Sequence, residues 1–369
     1  MSVPNVIREV LERFVEDLRV REVVSGIGLF GSWSRGDAAS SSDVDLLIIE
    51  SRDFDYEYTE RIELQNNLLV DLNYVPKHWI TYRVPPELDQ KLYELQILFD
   101  RDGSLARAKN LTSRIYWKPE RVDIRTEVHL IESDAYLSRA RLALNKSDYQ
   151  SVKVNSIRSF RSLMKILTEI SRNLILNSSF MENLESLSKS LGMQSLYEEY
   201  IDLMGLFDVS EADAQSMLNS LSLAWKEMIS FIEANLLLAG NLHPKVKAKL
   251  KYYGRETFLK GLVARVNSLI EESDPTESAH YMFHTLVDML ENYISLVSIV
   301  DGVRFDYATL LKNLSESKSS PAKVYEESIN VLGVKEVSSQ EAEEILKIVT
   351  ESAKTIRQKR KDLISRFIG

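Results

Sequence analysis

The chain has 369 residues, a formal net charge of −9 and no cysteine. This length suffices for two or three domains with buried cores. The lack of cysteine excludes disulfides, thiolate catalysis and cysteine-ligated zinc, and the negative charge argues against a protein that coats nucleic acid along its whole surface. No signal peptide is expected, because no basic stretch followed by an apolar core opens the sequence. The most apolar stretch, 221–238, carries charged residues and predicts a buried helix rather than a membrane span, so we expect a cytoplasmic protein.

Helical and strand patterns alternate in the first third of the chain. Apolar residues recur at helical spacing over 5–19, which predicts an amphipathic helix. Apolar runs rich in β-branched residues then predict four strands, at 23–30, 44–49, 68–74 and 95–99. The sequence therefore predicts an α/β unit over residues 1–118.

The rest of the chain has helical patterns almost to its end, and these patterns repeat. The segment Tyr197–Leu206 recurs as Tyr325–Val334, 128 residues later. Upstream, Ser147-Asp148 matches Ser273-Asp274 at an offset of 126 residues. Such a period is much longer than that of a solenoid repeat. We therefore predict two copies of a small helical bundle, each with its own core.

Three aspartates carry the strongest chemical signal. Asp43 and Asp45 project from the same face of a strand, because side chains alternate along a strand. Asp71 lies inside a later apolar run. Three carboxylates in apolar surroundings repel one another unless cations lie between them, and Mg²⁺, or Mn²⁺ in its place, prefers such oxygen ligands. We predict a two-metal site in which Asp43 and Asp45 bind both metals and Asp71 is a metal ligand or general base.

A second group of residues is suited to phosphate. Gly31 allows the backbone to approach a phosphate closely, and the Ser32 hydroxyl and neighbouring N–H groups are donors at a predicted helix start. Arg35 follows one turn later and can neutralise a leaving pyrophosphate. The sequence therefore predicts a nucleotide triphosphate site beside the carboxylates.

These residues resemble the nucleotidyltransferase superfamily typified by DNA polymerase beta and kanamycin nucleotidyltransferase. Its motif matches in order and spacing, as Phe30-Gly31-Ser32, Asp43-Val44-Asp45 and Val70-Asp71-Leu72. The extended motif from Gly31 to Leu46 is most similar to the minimal and kanamycin-type branches, although Ser34 replaces the commonest alanine. The resemblance covers about 20–103. It implies Mg²⁺-dependent transfer of a nucleoside monophosphate from a nucleoside triphosphate (ATP among the candidates) to a hydroxyl, with nucleotide bound by Gly31, Ser32, Arg35 and Ser42.

The helical part resembles the HEPN-type hairpin at 125–172 and, through the repeat, at 255–298. Such bundles accompany minimal nucleotidyltransferases and form the acceptor-binding domain of kanamycin nucleotidyltransferase. A ribonuclease is not expected, because no histidine follows Arg158 or Arg161 at the spacing of HEPN ribonucleases. His280 and His284 lie one turn apart on a predicted helix, and we favour ordinary packing over a metal pair.

Together these patterns predict an α+β protein. A small mixed-sheet nucleotidyltransferase domain, 1–118, is followed by an all-α region of two duplicated helical bundles, 119–240 and 241–369. The acceptor is a small molecule, a protein side chain or an RNA end, and the acidic balance favours non-polymeric acceptors over RNA. The alternative is a regulatory or antitoxin-like nucleotide-binding module that acts through a partner. No membrane partner is expected.

Several roles stay open at the level of sequence. The general base is Asp71 or an acid of the first long helix in the helical part, where Glu127, Glu132 and Asp134 lie. Two basic segments, 245–255 with its tyrosines and 354–366, fit either a solvated helix or an RNA surface, and the solvated helix is the commoner case. The nucleotide base and the oligomeric state are not specified.

Overall fold

The computed structural model describes residues 5–39, 42–177, 179–272 and 274–369. Residues 1–4 of the first predicted domain and Ser273 of the repeat lie outside the described residues. The chain divides into two compact units. Residues 1–117 with 243–265 form the first, which we call the sheet unit, and residues 118–242 with 266–369 form the second, the helical unit.

The sheet unit is built on a five-stranded sheet. Its strands are β1 (Val24–Phe30), β2 (Val44–Glu50), β3 (Tyr58–Leu64), β4 (Leu68–Pro76) and β5 (Gln96–Asp100). They are arranged in the order β3-β4-β2-β1-β5. Strands β2 and β4 pair in parallel, whereas the other neighbouring pairs are antiparallel. The predicted mixed sheet is confirmed. The sequence missed β3, an edge strand whose side chains alternate between polar and apolar without an apolar run.

Helices cover both faces of this sheet. The helices of the sheet unit are α1 (Asn5–Arg19), α2 (Ser32–Arg35), α3 (Lys77–Thr81), α4 (Asp89–Glu94), α5 (Ser104–Ile115), α11 (Pro244–Tyr253) and α12 (Glu256–Glu271), the last of which continues past residue 265. On one face, Leu11 and Val15 of α1 pack with Leu46 and Ile48 of β2. On the other face, Leu92 of α4 and Leu105 of α5 pack with Leu47 and Ile49 of β2. Helix α11 packs against β3.

The helical unit contains the remaining long helices. They are α6 (Pro119–Asn145), α7 (Tyr149–Ile170), α8 (Leu184–Ser190), α9 (Gln194–Met204), α10 (Glu211–Ala234), α13 (Pro275–Val300), α14 (Leu310–Ser315), α15 (Ala322–Leu332) and α16 (Ser339–Phe367). The predicted helical region after the sheet is confirmed. Within the described residues, none of the helices has the length and apolar character of a membrane span.

The secondary structure of the helical part recurs at the predicted offsets. Helix α13 begins 126 residues after α7, and α15 and α16 begin 128 residues after α9 and α10. The caps recur with the same residue types: Asp148 and Asp274, Ser210 and Ser338, and Gly205 and Gly333. One element differs, because the counterpart of α6 is broken at Gly254 into α11 and α12.

The two predicted copies exchange their last helices. Helix α10 packs against α13 and α15 of the second copy, and α16 packs against α6 and α7 of the first. Residues 243–265, at the start of the second copy, belong to the sheet unit. The predicted domain boundaries at 118 and 240 stay a prediction. The two compact units have other bounds, because long-range contacts define them.

Candidate active site

A row of four side chains crosses the sheet. Arg61 on β3 is in register with Asp71 on β4, Asp71 with Asp45 on β2, and Asp45 with Phe30 on β1. Residues in register on neighbouring strands project from the same face. The two aspartates therefore lie side by side, on the face that α4 and α5 cover further along the strands. Asp43 stands just before β2, two residues from Asp45.

The guanidinium of Arg61 joins the carboxylates. Its Nε donates to Asp71 Oδ1 at 2.6 Å, and its Nη2 donates to Asp71 Oδ2 at 2.6 Å and to Asp43 Oδ2. The Tyr252 hydroxyl donates to Asp71 Oδ2 at 2.6 Å. The structure thus brings Asp43, Asp45 and Asp71 together at one end of β2, with an arginine between two of them.

The positive charges of Arg61, Lys91 and Arg265 offset only part of what raises the pKa of Asp43 and Asp45. Burial raises the pKa of Asp45 well above its ordinary value, and the charges of Asp43 and Asp71 raise it further. Burial also raises the pKa of Asp43, although Arg61 opposes the shift. Burial lowers the pKa of Arg61, but the hydrogen bond to Asp71 and the nearby charges outweigh it, so the net shift is upward. An added cation would oppose the upward pKa shifts of the two aspartates.

The donor set fits a divalent cation in its chemistry, since three carboxylates supply the oxygen ligands that Mg²⁺ prefers. Asp43, Asp45 and Asp71 would hold it. In the arrangement described, however, both oxygens of Asp71 and Oδ2 of Asp43 accept hydrogen bonds from Arg61 or Tyr252. Across the described ranges, no group of three or more acidic or histidine side chains has a geometry that could hold a metal ion.

The predicted phosphate residues lie at the end of β1. Gly31 has φ +74°, a left-handed value that favours glycine, and its N–H donates to Glu94 Oε2 at 3.1 Å. Arg35 Nη1 donates to the same oxygen at 2.8 Å, while its Nε donates to Asp37 Oδ2 at 3.0 Å. The hydroxyl of Ser32 makes no hydrogen bond to the described residues. Glu94 thus occupies two of the donors that the sequence suggested for phosphate, the Gly31 N–H and the Arg35 guanidinium.

Ser42 supports the loop before the acidic pair. Its hydroxyl accepts a hydrogen bond from the Ala39 N–H at 3.0 Å, and its carbonyl accepts one from the Trp33 indole at 3.3 Å. Both Ser42 and Trp33 are buried. In the structure, Ser42 therefore holds the backbone next to Asp43 in place. Its contact with nucleotide stays a prediction.

Sequence reasoning missed three residues of this site. Arg61 lies on the strand that the sequence did not predict, and Glu94 ends a short helix without a recognisable motif. Tyr252 belongs to a segment that we considered as an RNA surface, yet its hydroxyl contacts Asp71. A neighbour of Tyr252 in that segment, Arg255, donates to the Arg61 carbonyl at 3.2 Å. The register of β3 brings Arg61 to the carboxylates, and the packing of α11 on β3 brings Tyr252 to them.

His280 and His284 are buried in the helical unit, as ordinary packing requires. The Nε2 atoms of the two rings lie 2.9 and 3.1 Å from the Tyr200 hydroxyl. A hydroxyl donates only one hydrogen bond, so one histidine accepts from it and the other donates to it. Burial lowers the pKa of both histidines. The pair is a neutral hydrogen-bonded element of the core.

The acids that the sequence offered as alternative bases are paired within the helical unit. The ion pairs join Glu127 with Arg360, Glu132 with Lys165 and Asp134 with Arg357. Burial alone would raise the pKa of Glu132, but contacts with His129 and Lys165 outweigh it and lower the pKa. Two of the basic residues near the C-terminus, Arg357 and Arg360, thus have partners in their own unit.

Comparison with known proteins agrees with this domain. Residues 7–100 match the family model of the nucleotidyltransferase domain. No curated protein matches the chain. The chain is also similar to a solved structure of a nucleotidyltransferase-like protein from Exiguobacterium sibiricum, with 88% of both chains covered, 11% identity and a TM-score of 0.33. Residues 7–100 of this chain are therefore similar to a nucleotidyltransferase domain.

Proposed function

We propose that the protein transfers a nucleoside monophosphate from a nucleoside triphosphate to an acceptor hydroxyl in a Mg²⁺-dependent reaction that releases pyrophosphate. The observation that carries the proposal is the placement of Asp45 and Asp71 in register on parallel strands, inside the region that matches the nucleotidyltransferase domain. The third carboxylate, Asp43, is joined to Asp71 by the same arginine.

In the proposed reaction, the acceptor oxygen forms a bond to the α-phosphorus of the nucleotide. The bond from that phosphorus to the oxygen leading to the β-phosphate breaks, and pyrophosphate leaves. Bound Mg²⁺ would supply positive charge that neutralises the triphosphate and the leaving group. Asp43, Asp45 and Asp71 would hold it.

Asp71 is our proposed acceptor of the hydroxyl proton. It lies beside Asp45. The alternative acids of α6 form ion pairs with basic residues of the helical unit. Arg35, whose side chain is 20% exposed, is proposed to contact the leaving pyrophosphate. Gly31 and Ser32 are proposed to bind phosphate oxygens through their N–H and hydroxyl groups.

We propose a non-polymeric acceptor, either a small molecule or a protein side chain. The net charge of −9 disfavours a long nucleic-acid acceptor, because phosphate contacts need basic residues. The two arginines of the C-terminal helix named above, Arg357 and Arg360, pair with acids of α6 rather than forming a free basic face.

Labelled nucleotides test the reaction. The protein is incubated with Mg²⁺ and each of the four nucleoside triphosphates, labelled either at the α- or at the γ-phosphate, in the presence of a metabolite extract, a protein extract or total RNA. We expect α-label in the acceptor and γ-label in pyrophosphate. Transfer of γ-label to an acceptor would instead indicate a phosphotransferase. Nucleotide binding without transfer of either label would support the regulatory or antitoxin-like alternative.

Matched variants connect the reaction to the site. Asp43→Asn removes one carboxylate charge and is expected to reduce transfer by at least about a hundredfold, since such groups act on the transition-state charge. Asp53→Asn makes the same change at an exposed position of the sheet unit and should leave transfer unchanged. Full transfer by a folded Asp43→Asn protein would remove Asp43 from the mechanism.

A further inference from the structure

Arg61 occupies three of the carboxylate oxygens that a metal ion could use. The Arg61 side chain is only 5% exposed and the Asp71 side chain 6%. Both oxygens of Asp71 accept hydrogen bonds, two from Arg61 and one from Tyr252. A cation from solvent, which binds carboxylate oxygen directly and keeps its own waters, cannot use these oxygens while the guanidinium stays in place.

The guanidinium is held from the other side by the segment α11–α12. The Arg61 Cζ atom lies 5.0 Å from the centre of the Phe258 ring and 5.5 Å from that of Tyr252. Such distances are favourable for a cation over an aromatic ring. A Cβ added to Gly261 would come within 2.5 Å of Arg61 Nη1, so the glycine leaves space for the guanidinium. These residues follow Arg61 by 191 to 200 positions and belong to the segment 243–265 of the sheet unit.

We propose that Arg61 is an internal counter-ion that competes with the divalent cation for Asp43 and Asp71, and that Tyr252 and Phe258 hold it in this inhibitory position. The inference deepens the proposed function, because the cation is the one that the transfer reaction would use. Binding of metal and nucleotide then requires Arg61 to leave the carboxylates, which makes α11–α12 the element that controls access to them.

The alternative is that Arg61 only supports the sheet edge and positions the carboxylates for metal. The two roles predict opposite results when the positive charge is removed. A competing arginine weakens cation binding, because like charges repel across a poorly solvated site. A supporting arginine strengthens it, because its loss would let two neighbouring carboxylates move apart.

Binding of Mn²⁺ alone distinguishes these roles without any turnover. Free Mn²⁺ is titrated by its electron paramagnetic resonance signal in the wild-type protein, in Arg61→Gln and in Tyr252→Phe. We expect Arg61→Gln to bind Mn²⁺ at least about tenfold more tightly than the wild type, and Tyr252→Phe about threefold more tightly. Adding Asp45→Asn to Arg61→Gln should abolish the gain, which assigns the binding to the carboxylates.

A control variant removes a positive charge near the site but not on it. Lys260 of α12 donates to Glu63 of β3 at 2.7 Å, so it joins the same two elements. Lys260→Gln should keep the Mn²⁺ affinity of the wild type within about twofold, since the pair is solvent-exposed and weakly coupled. An equal gain in Lys260→Gln would show a general charge effect and overturn the specific role of Arg61.

The inference is overturned if folded Arg61→Gln binds Mn²⁺ no more tightly than the wild type. Circular dichroism checks the fold, and should Arg61→Gln fail to fold, Tyr252→Phe decides, because it keeps the aromatic ring and removes only the hydroxyl. Nucleotide transfer is measured separately. A gain in Mn²⁺ affinity without transfer from any nucleotide would reject the proposed function alone, whereas transfer with an unchanged affinity would reject the inference alone.

Discussion

Gly31 and Asp45 approach each other so closely that only glycine fits at the end of β1. A Cβ on residue 31 would lie 2.5 Å from Asp45 Oδ2, and the backbone there has φ +74°. Gly31→Ala is therefore expected to lower the free energy of unfolding by about 1–3 kcal/mol and to reduce nucleotide transfer by displacing the Asp45 carboxylate. Urea unfolding and the labelled-nucleotide assay measure the two effects.

Gly302 offers the matched control for this substitution. It has φ +67°, but among the described residues no atom beyond its chain neighbours lies within 4 Å of its added Cβ. Gly302→Ala should therefore carry only the backbone strain, about 1 kcal/mol, and leave transfer at the level of the wild type. Equal transfer by both alanine variants would show that the contact between residue 31 and Asp45 is unimportant to the site.

Glu94 is expected to stabilise the glycine turn. Its side chain is 3% exposed and accepts hydrogen bonds from the Gly31 N–H, from Arg35 and from Gln90. Glu94→Ala should lower the free energy of unfolding by about 3–5 kcal/mol, because it leaves a partly buried guanidinium and a backbone N–H without their acceptor. Asp37→Ala, at the exposed partner of the same arginine, should cost under about 1 kcal/mol. Chemical denaturation measures both free energies of unfolding. Similar losses in Glu94→Ala and Asp37→Ala would contradict the stabilising role of Glu94.

The stability of the helical unit should fall at acidic pH. Burial lowers the pKa of His280 and His284 below the ordinary value, so the unfolded chain binds more protons than the folded one. Their contribution is complete above the unfolded pKa of about 6.5 and is lost as the pH falls below it. Each histidine adds up to about 1.4 kcal/mol per pH unit to the slope of unfolding free energy against pH.

Unfolding in urea between pH 7.5 and 5 measures this slope. His284→Phe keeps an aromatic ring but removes one of the two titrating histidines. The slope of its unfolding free energy against pH should therefore be smaller by up to about 1.4 kcal/mol per pH unit. If the slope of His284→Phe equals that of the wild type, His284 does not contribute to the pH dependence of stability.

A buried ion pair joins α6 and α7 in the helical unit, and breaking it is expected to be costly. Arg125 donates from Nη2 to Glu169 Oε2 at 2.7 Å, and both side chains are 4% exposed. Glu169→Leu should lower the free energy of unfolding by about 3–5 kcal/mol, because it removes the carboxylate that binds the buried Arg125 guanidinium. Asp134→Leu, at the exposed pair with Arg357, should lower it by less than about 1 kcal/mol. Thermal and urea unfolding of both variants provide the comparison.

Local sequence determined the strands that carry the acids and the helices that repeat. Strands β2 and β4 are apolar runs interrupted by Asp45 and Asp71, and alternation along a strand set the face of each carboxylate. The repeated helices ended at Gly205 and Gly333, which the repeat had aligned. These features depend on neighbours within a few residues, so periodicity and cap residues predict them.

Only the tertiary structure decided what surrounds the carboxylates. Arg61 reaches Asp71 because β3 pairs with β4 in one register, and Tyr252 reaches it because α11 packs on β3. Glu94 meets Gly31 across 63 positions of sequence. No local pattern encodes such partners, since they follow from which elements pack together and in which register. The sequence by itself thus determined the acids, and the fold determined the arginine, tyrosine and glutamate that hold the site in its present state.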